Sequence, residues 1–242
     1  MSLENTDPKC YTSDELDSLA DAIHYQNWIV EQFTPFVRGR MLEVGAGIGT
    51  MANHWLRLAD EVHLVEPAGN LFSALQERFS SEPSVRLYSD VLERVIDTNG
   101  SYLKGSFDVV IMINVLEHIQ DDTQLMKTLA TLLKPDGHLL IFVPAMPTLY
   151  GSLDRLFGHY RRYTKTSLLA LVSQARFHTV KLYYFDVLGV VPWWLVNCVI
   201  RANSLSRSSA LLYDRYVVPV GKILEKWLKP PIGKNLVLIA RR

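Results

Sequence analysis

The 242-residue chain predicts a doubly wound α/β domain. Short apolar runs alternate with segments of helical period between about residues 38 and 145. The runs are continuous rather than apolar at every second position, as in parallel strands buried on both faces. A glycine-rich turn, MLEVGAGIGT at residues 41–50, joins the first run to the segment after it.

The elements follow in order. Residues 14–37 read as a helix, with Leu16, Leu19, Ile23, Trp28 and Phe33 near helical spacing. RMLEVG is a strand and GTMANHWLRLA a helix; EVHLVE is a strand and NLFSALQERFS a helix. VRLYS is a short strand and FDVVIMI a strong one, followed by the helix DDTQLMKTLATLL. KPDG turns into the strand HLLIFV. Beyond Pro144 the stretch AMPTLYGSLDRLFGHYRRYT reads as a loop, KTSLLALVSQA as a helix and VKLYYFD as a strand. A mostly helical stretch spans about 187 to 230, and KNLVLIARR closes the chain as a strand. This divides the chain into an N-terminal helical cap (1–37), a core (38–186 with 233–242) and a helical insertion (187–232) expected to cover the ligand crevice.

With 48% apolar and 21% charged residues, the chain can bury a sizeable core. Its 25 basic and 25 acidic side chains cancel, whereas a polyanion binder normally carries a basic excess, so the balance argues against a nucleic-acid substrate. Cys10 and Cys198 are the only cysteines, too few and too far apart for a disulfide framework or a metal spacing. The polar start MSLENTDPKC lacks the features of a signal peptide, and a cytosolic location is expected. The strongly apolar VLGVVPWWLVNCVI, 187–200, falls short of the roughly 20 residues a spanning helix needs, and reads as a buried or interfacial helix.

In an open α/β sheet, ligands bind beyond the carboxyl ends of the strands. The first strand ends in Glu43 and the loop carrying Gly45, Ala46, Gly47 and Gly49. The dinucleotide fingerprint wants a small third residue where Thr50 stands, and no Lys-Ser or Lys-Thr follows as a P-loop requires. Glu43 would repel a pyrophosphate but tolerate a cationic ammonium group. Glu66, at the end of the second strand, stands where an acid accepts hydrogen bonds from ribose hydroxyls. Asp90 follows the third strand, positioned either for an adenine amino group or to cap a helix. The fourth strand ends in NVLEHI, 114–119.

LEVGAGIGT, VEP, SD, NVLEHI and LKPDGHLLIFVP, in this order and spacing, resemble the class I S-adenosylmethionine-dependent methyltransferases. The resemblance runs from about residue 25 to 145 and is strongest to the small-molecule branch that includes the ubiquinone-biosynthesis type. It implies a seven-stranded, mostly parallel sheet ending in an antiparallel hairpin, here VKLYYFD and KNLVLIARR. That hairpin is usually tight, whereas here the helical insertion intervenes. It further implies S-adenosyl-L-methionine as cofactor, with Glu43, Gly45, Ala46 and Gly47 along its methionine part, Gly49 in the same turn, Glu66 and Pro67 at the ribose, Asp90 and Val91 at the adenine, and Asn114 and Leu116 on the methionine side. The implied reaction is in-line transfer of a methyl group to a small-molecule acceptor, with alignment as the protein's main contribution and no metal required.

An oxygen nucleophile gains from a general base, and His is suited near pH 7. The candidates are His118, past the fourth strand, and His159 in GHYRRYT. Tyr160, Arg161, Arg162 and Tyr163 either bind an anionic acceptor group or clamp their loop to the sheet. Trp193 and Trp194 either pack the insertion or line an apolar acceptor pocket. His54, His63, His138 and His178 read as structural. The expected enzyme methylates a small, partly apolar acceptor at oxygen. The alternatives are a carbon or nitrogen target, a non-catalytic cofactor-binding subunit, or an enzyme reaching lipid-linked substrates through peripheral membrane contact.

Overall fold

The structure, a computed structural model, describes residues 21–242. Its centre is a seven-stranded sheet in the order β3-β2-β1-β4-β5-β7-β6. The strands are β1 (Arg40–Val44), β2 (Glu61–Val65), β3 (Val85–Tyr88), β4 (Phe107–Ile113), β5 (Leu133–Pro144), β6 (His178–Phe185) and β7 (Asn235–Arg241). The first five pair in parallel, and β7 lies antiparallel between β5 and β6. The seven-stranded mostly parallel sheet and its final antiparallel hairpin are therefore as expected.

The continuous apolar runs are explained by burial on both faces. Leu42, Val110, Met112, Leu139 and Ile141 point into one apolar layer, and Met41, Val109, Ile111, Leu140 and Phe142 into the other. The first layer is completed by α4 (Leu92–Leu103), α5 (Asp122–Leu132) and α7 (Lys165–Gln174), the second by α1 (Ile23–Phe33) and α3 (Gly69–Phe79). The chain reverses direction across the sheet between β1 and β4, which opens the crevice at their carboxyl ends.

Several elements differ from expectation. The first helix is described from Ile23, so Leu16, Leu19 and Cys10 lie outside the described residues. The segment after the glycine loop holds a single turn, α2 (Ala52–Trp55), because buried Ala52 and Trp55 anchor it and the chain must turn at once into β2. KPDG lies within β5, with Asp136 at φ +65° and a register shift opposite β4, so the turn residues form a bulge rather than a strand boundary. Helix α4, expected only through Asp90 as a possible cap, has Leu92, Val95, Ile96 and Leu103 on its buried face at helical spacing.

The loop after β5 contains α6 (Ser152–Phe157). Between β6 and β7 stand α8 (Val190–Trp194), continued by a π-helical turn at Leu195–Val199, and α9 (Arg207–Leu212), which runs through a π-helical turn at Tyr213–Val217 into α10 (Val218–Trp227). No helix of the described residues is long and apolar enough to cross a membrane.

Candidate active site

The glycine loop turns sharply off β1 because Gly45 and Ala46 both donate their N–H groups to the Val65 carbonyl, at 2.8 and 3.1 Å. Gly45, Gly47 and Gly49 all have positive φ. Their surroundings differ. A Cβ at Gly45 would strike Val115, and one at Gly49 would strike Phe79 and Leu75, whereas one at Gly47 would meet nothing within 4 Å. The outer two glycines permit close packing; the middle one leaves a bare stretch of main chain facing the crevice.

Glu66 is bound into this loop. Its Oε2 accepts from the Gly47 N–H at 2.8 Å and its Oε1 from the Ala68 N–H at 2.9 Å. Pro67 directs the chain between them. Burial raises the Glu66 carboxyl above its ordinary value, and the two N–H groups oppose that rise. Each oxygen keeps a second lone pair for a hydroxyl donor. Its N–H pairs with the Tyr88 carbonyl, which aligns the ends of β2 and β3 and sets Asp90 and Val91 along the same edge. Asp90 accepts from the Val91 N–H at 2.8 Å, and Val91 stands at the head of α4 with its side chain exposed.

Glu43 lies beneath the loop. It is buried, accepts from Trp55 Nε1 at 3.1 Å, and is pushed up to about 8 by burial, with nearby Glu66 adding to the rise and the Trp55 hydrogen bond opposing it. The bare main chain at Gly47, the partly satisfied Glu66 and a buried acid that would ionise beside a cation fit S-adenosylmethionine, whose ribose hydroxyls and ammonium group need those partners.

Asn114 is exposed at φ +53°, its N–H donating to the Phe142 carbonyl at 2.9 Å. Leu116 departs from its expected place on the cofactor wall: its side chain is fully buried in the core. Val115, which the sequence reading passed over, packs against Gly45 instead.

The loop after β5 folds back onto the end of β4, where Tyr160 donates its N–H to the Glu117 carbonyl at 2.8 Å. His118 and His159 meet edge to face with ring centroids 4.7 Å apart. His159 Nδ1 lies 2.9 Å from Asp154 Oδ1, a buried carboxylate that also accepts from Arg162 Nε at 2.7 Å and Asn197 Nδ2 at 2.6 Å. Burial alone would raise Asp154; these hydrogen bonds and the Arg162 charge outweigh it and hold the carboxyl at about 2. Asp154 is therefore ionised and accepts from His159 Nδ1, which leaves Nε2 as the ring nitrogen turned away from the carboxylate.

Arg162 and Tyr163 depart from a role in gripping acceptor. Arg162 is buried between Asp154 and the Ala145 carbonyl, and the Tyr163 hydroxyl is buried against Asp122 Oδ2 at 2.9 Å. Arg161 binds the same Asp122 at 2.8 Å and the Gln120 carbonyl. These three residues clamp the loop to the sheet, leaving Tyr160 exposed. Trp193 packs over the Arg162 guanidinium, 5.3 Å from its ring centre, beside the end of β5; Trp194 is turned to the surface. His63 is a core residue bonded to Arg40 and Tyr88, pushed down to about 4 by burial and the Arg40 charge.

Sequence reading also missed Glu117. It is fully buried, neither carboxyl oxygen has a hydrogen-bond partner among the described residues, and burial pushes it up to about 8. Glu117, His118 and His159 each bring a possible ligand atom within 4.8 Å of the others. The signal was present in the E-H pair of NVLEHI; the distant His159 was what spacing could not supply.

Comparison with known proteins agrees with this geometry. A family model described as a methyltransferase domain matches residues 13–182, more than half of the chain. The ubiquinone biosynthesis O-methyltransferase of Xanthomonas campestris pv. campestris is 30% identical over 168 residues, covering 64% of this chain and 67% of that protein. An S-adenosylmethionine-dependent methyltransferase structure from Mesorhizobium loti superposes with a TM-score of 0.62 at 14% identity, over 92% of this chain and all of that one. Phosphoethanolamine N-methyltransferase 2 of Haemonchus contortus, in complex with S-adenosyl-L-methionine, gives 0.60 at 18% identity, over 97% of this chain and 58% of that one. The chain belongs to the methyltransferase-domain family and is an S-adenosylmethionine-dependent methyltransferase of class I.

Proposed function

We propose that the enzyme methylates a hydroxyl oxygen on a small, partly apolar acceptor, with His159 as general base. The observation that supports this reading is the Asp154–His159 pair: the carboxylate engages Nδ1, so Nε2, on the side of His118, is the nitrogen that would take the acceptor's proton. The name of the Xanthomonas relative, an O-methyltransferase, supports an oxygen target.

Bound S-adenosylmethionine supplies an electrophilic methyl group. The protein's residues do the rest. Gly45, Ala46 and Gly47 let the main chain approach the methionine part, and Glu66 fixes the ribose. Asp90 and Val91 border the adenine, with Asn114 at the methionine side. Glu43, below the loop, balances the ammonium charge. Across the crevice, His159 takes the acceptor's hydroxyl proton at Nε2, and Asp154 stabilises the imidazolium that results. Tyr160 and Trp193 offer aromatic surface to the acceptor's apolar part.

His159→Ala should lower kcat for an alkylphenol acceptor by about 10²–10⁴-fold, with little change in S-adenosylhomocysteine affinity by calorimetry. Near-normal turnover would sink the base assignment. The unpartnered oxygens of buried Glu117 favour a second reading, in which Glu117, His118 and His159 bind a divalent cation that activates the hydroxyl. Chelation separates the two: turnover that survives EDTA supports the base, and turnover lost to EDTA and restored by Mg²⁺ or Zn²⁺ supports the cation.

A further inference from the structure

We propose that the insertion between β6 and β7 is a docking face for an anionic lipid bilayer. The segment lies beyond residue 182, where the family match ends, and the inference holds for any acceptor.

The outer face of the insertion is apolar at helical spacing. Leu212, Tyr216, Val220, Ile223 and Trp227 recur every three or four residues along α9 and α10, and all are exposed, Trp227 at 82%. The opposite face, carrying Asp214, Val218 and Gly221, is buried. A surface helix normally turns its apolar stripe inward; this one turns a second stripe outward. The first helix does likewise: Val191, Trp194, Val199 and Ile200 are exposed, while Asn197 is buried and fastened to the Leu149 carbonyl, the Leu153 N–H and Asp154. The apolar face is thus rigidly tied to the loop that holds His159. Exposed large apolar side chains grouped in this way mark an interaction surface rather than ordinary scatter.

Charge identifies the occupant. The whole chain is neutral, but residues 187–232 contain six basic side chains and two acidic ones. Both acids point inward. Asp214 accepts the His24 and Tyr25 N–H groups and so caps α1 from across the fold; Glu225 accepts the Asp186 and Val187 N–H groups. Arg207 pairs with Asp21 and Lys222 with Glu31. Arg201, Arg215, Lys226 and Lys229 are exposed and carry no ion pair among the described residues. An apolar stripe with tryptophan and a rim of one sign, positive, matches a negatively charged headgroup layer over acyl chains. A two-fold dimer through the same face would bring these like charges together.

The test is co-sedimentation of the full chain with vesicles of phosphatidylcholine, with and without phosphatidylglycerol. The protein should pellet with the anionic vesicles, much less with neutral ones, and less as salt rises. Ile223→Ser combined with Trp227→Ala should weaken binding by about tenfold or more. Lys226→Glu combined with Lys229→Glu should remove the preference for anionic vesicles. Circular dichroism and S-adenosylhomocysteine affinity should be unchanged in both, since neither pair touches the crevice. Wild-type protein that stays in solution with anionic vesicles would overturn the proposal. So would a dimer, seen by light scattering without lipid, that Trp227→Ala splits.

Discussion

Glu66 reaches its two partners, the N–H groups of Gly47 and Ala68, across 19 and 2 residues of chain. Asp154 takes His159 and Arg162 from 5 and 8 residues away, but its third side-chain partner, Asn197, lies 43 residues further along. The two carboxylates are built into the fold differently. The cofactor wall is main chain turning at strand ends, held by the sheet itself. The proposed acceptor wall is a network of side chains gathered from a loop and an insertion. A wall of the first kind tolerates change elsewhere in the fold; one of the second kind depends on each member.

The largest expected effect follows from that dependence. Asp154→Ala strips the counter-charge from buried Arg162 and partners from His159 and Asn197. Breaking a buried pair by removing one member costs about 3–5 kcal/mol, so urea unfolding should show a loss of that size. If the walls are independent, whatever folded protein remains should still bind S-adenosylhomocysteine. A loss below about 1 kcal/mol would mean that the network does not hold the wall together.

Glu66→Ala tests the other side. The variant should fold, because the loop is also held to β2 by the Gly45 and Ala46 N–H groups on the Val65 carbonyl, and cofactor affinity should fall by about 1.5–3 kcal/mol, the scale of hydrogen bonds to a charged group. Calorimetry with S-adenosylmethionine measures this directly. Unchanged affinity would remove Glu66 from the ribose assignment.

The same contrast explains what was legible in the sequence. Gly45, Gly47, Glu66 and Asp90 sit at strand ends, where the order of the strands fixes their neighbours, so pattern and spacing located them. His118 was legible for the same reason. For Arg162 and Tyr163 the choice between clamp and grip turned on Asp154 and Asp122, which spacing could not bring to them. Leu116 was misplaced because the turn of 3-10 helix at Leu116–His118 rotates it into the core and leaves Val115 toward the loop. The insertion was legible as apolar, but which of its faces is exposed depended on where Asp214 and Asn197 are anchored.

A smaller effect concerns pH, with one buried acid from each wall. Burial raises Glu43 and Glu117 to about 8, so the folded protein holds protons that the unfolded chain releases near the ordinary value of 4.5. A raised folded pKa gives stability that is complete below 4.5 and is lost progressively as pH rises to about 8. The melting temperature should therefore fall from pH 5.5 to 8.5. Glu117→Gln, which mimics the protonated acid, should flatten part of that slope. Added S-adenosylhomocysteine should flatten another part only if its ammonium group favours the ionised form of Glu43. A melting temperature that rises over this range would contradict both assignments.

The smallest effect separates two adjacent tryptophans. Trp193 and Trp194 are neighbours in α8, but the helix turns them apart. Trp193 lies over Arg162 and near the Lys234 ammonium, 5.5 Å from its ring centre, at the end of β5; Trp194 is about half exposed. Trp193 Nε1 is buried without a partner among the described residues, so there the ring is held by packing and by the two cations rather than by a hydrogen bond. If this ring closes the acceptor side, Trp193→Ala should raise the KM for an alkylphenol by roughly fivefold, about 1 kcal/mol. Cofactor affinity should stay within error, because the cofactor wall does not depend on the insertion. Trp194→Ala should leave both constants unchanged in a lipid-free assay, since its side chain faces outward. Equal effects of the two substitutions on KM would mean that α8 acts as a packing unit, and that the acceptor wall ends at the His159 loop.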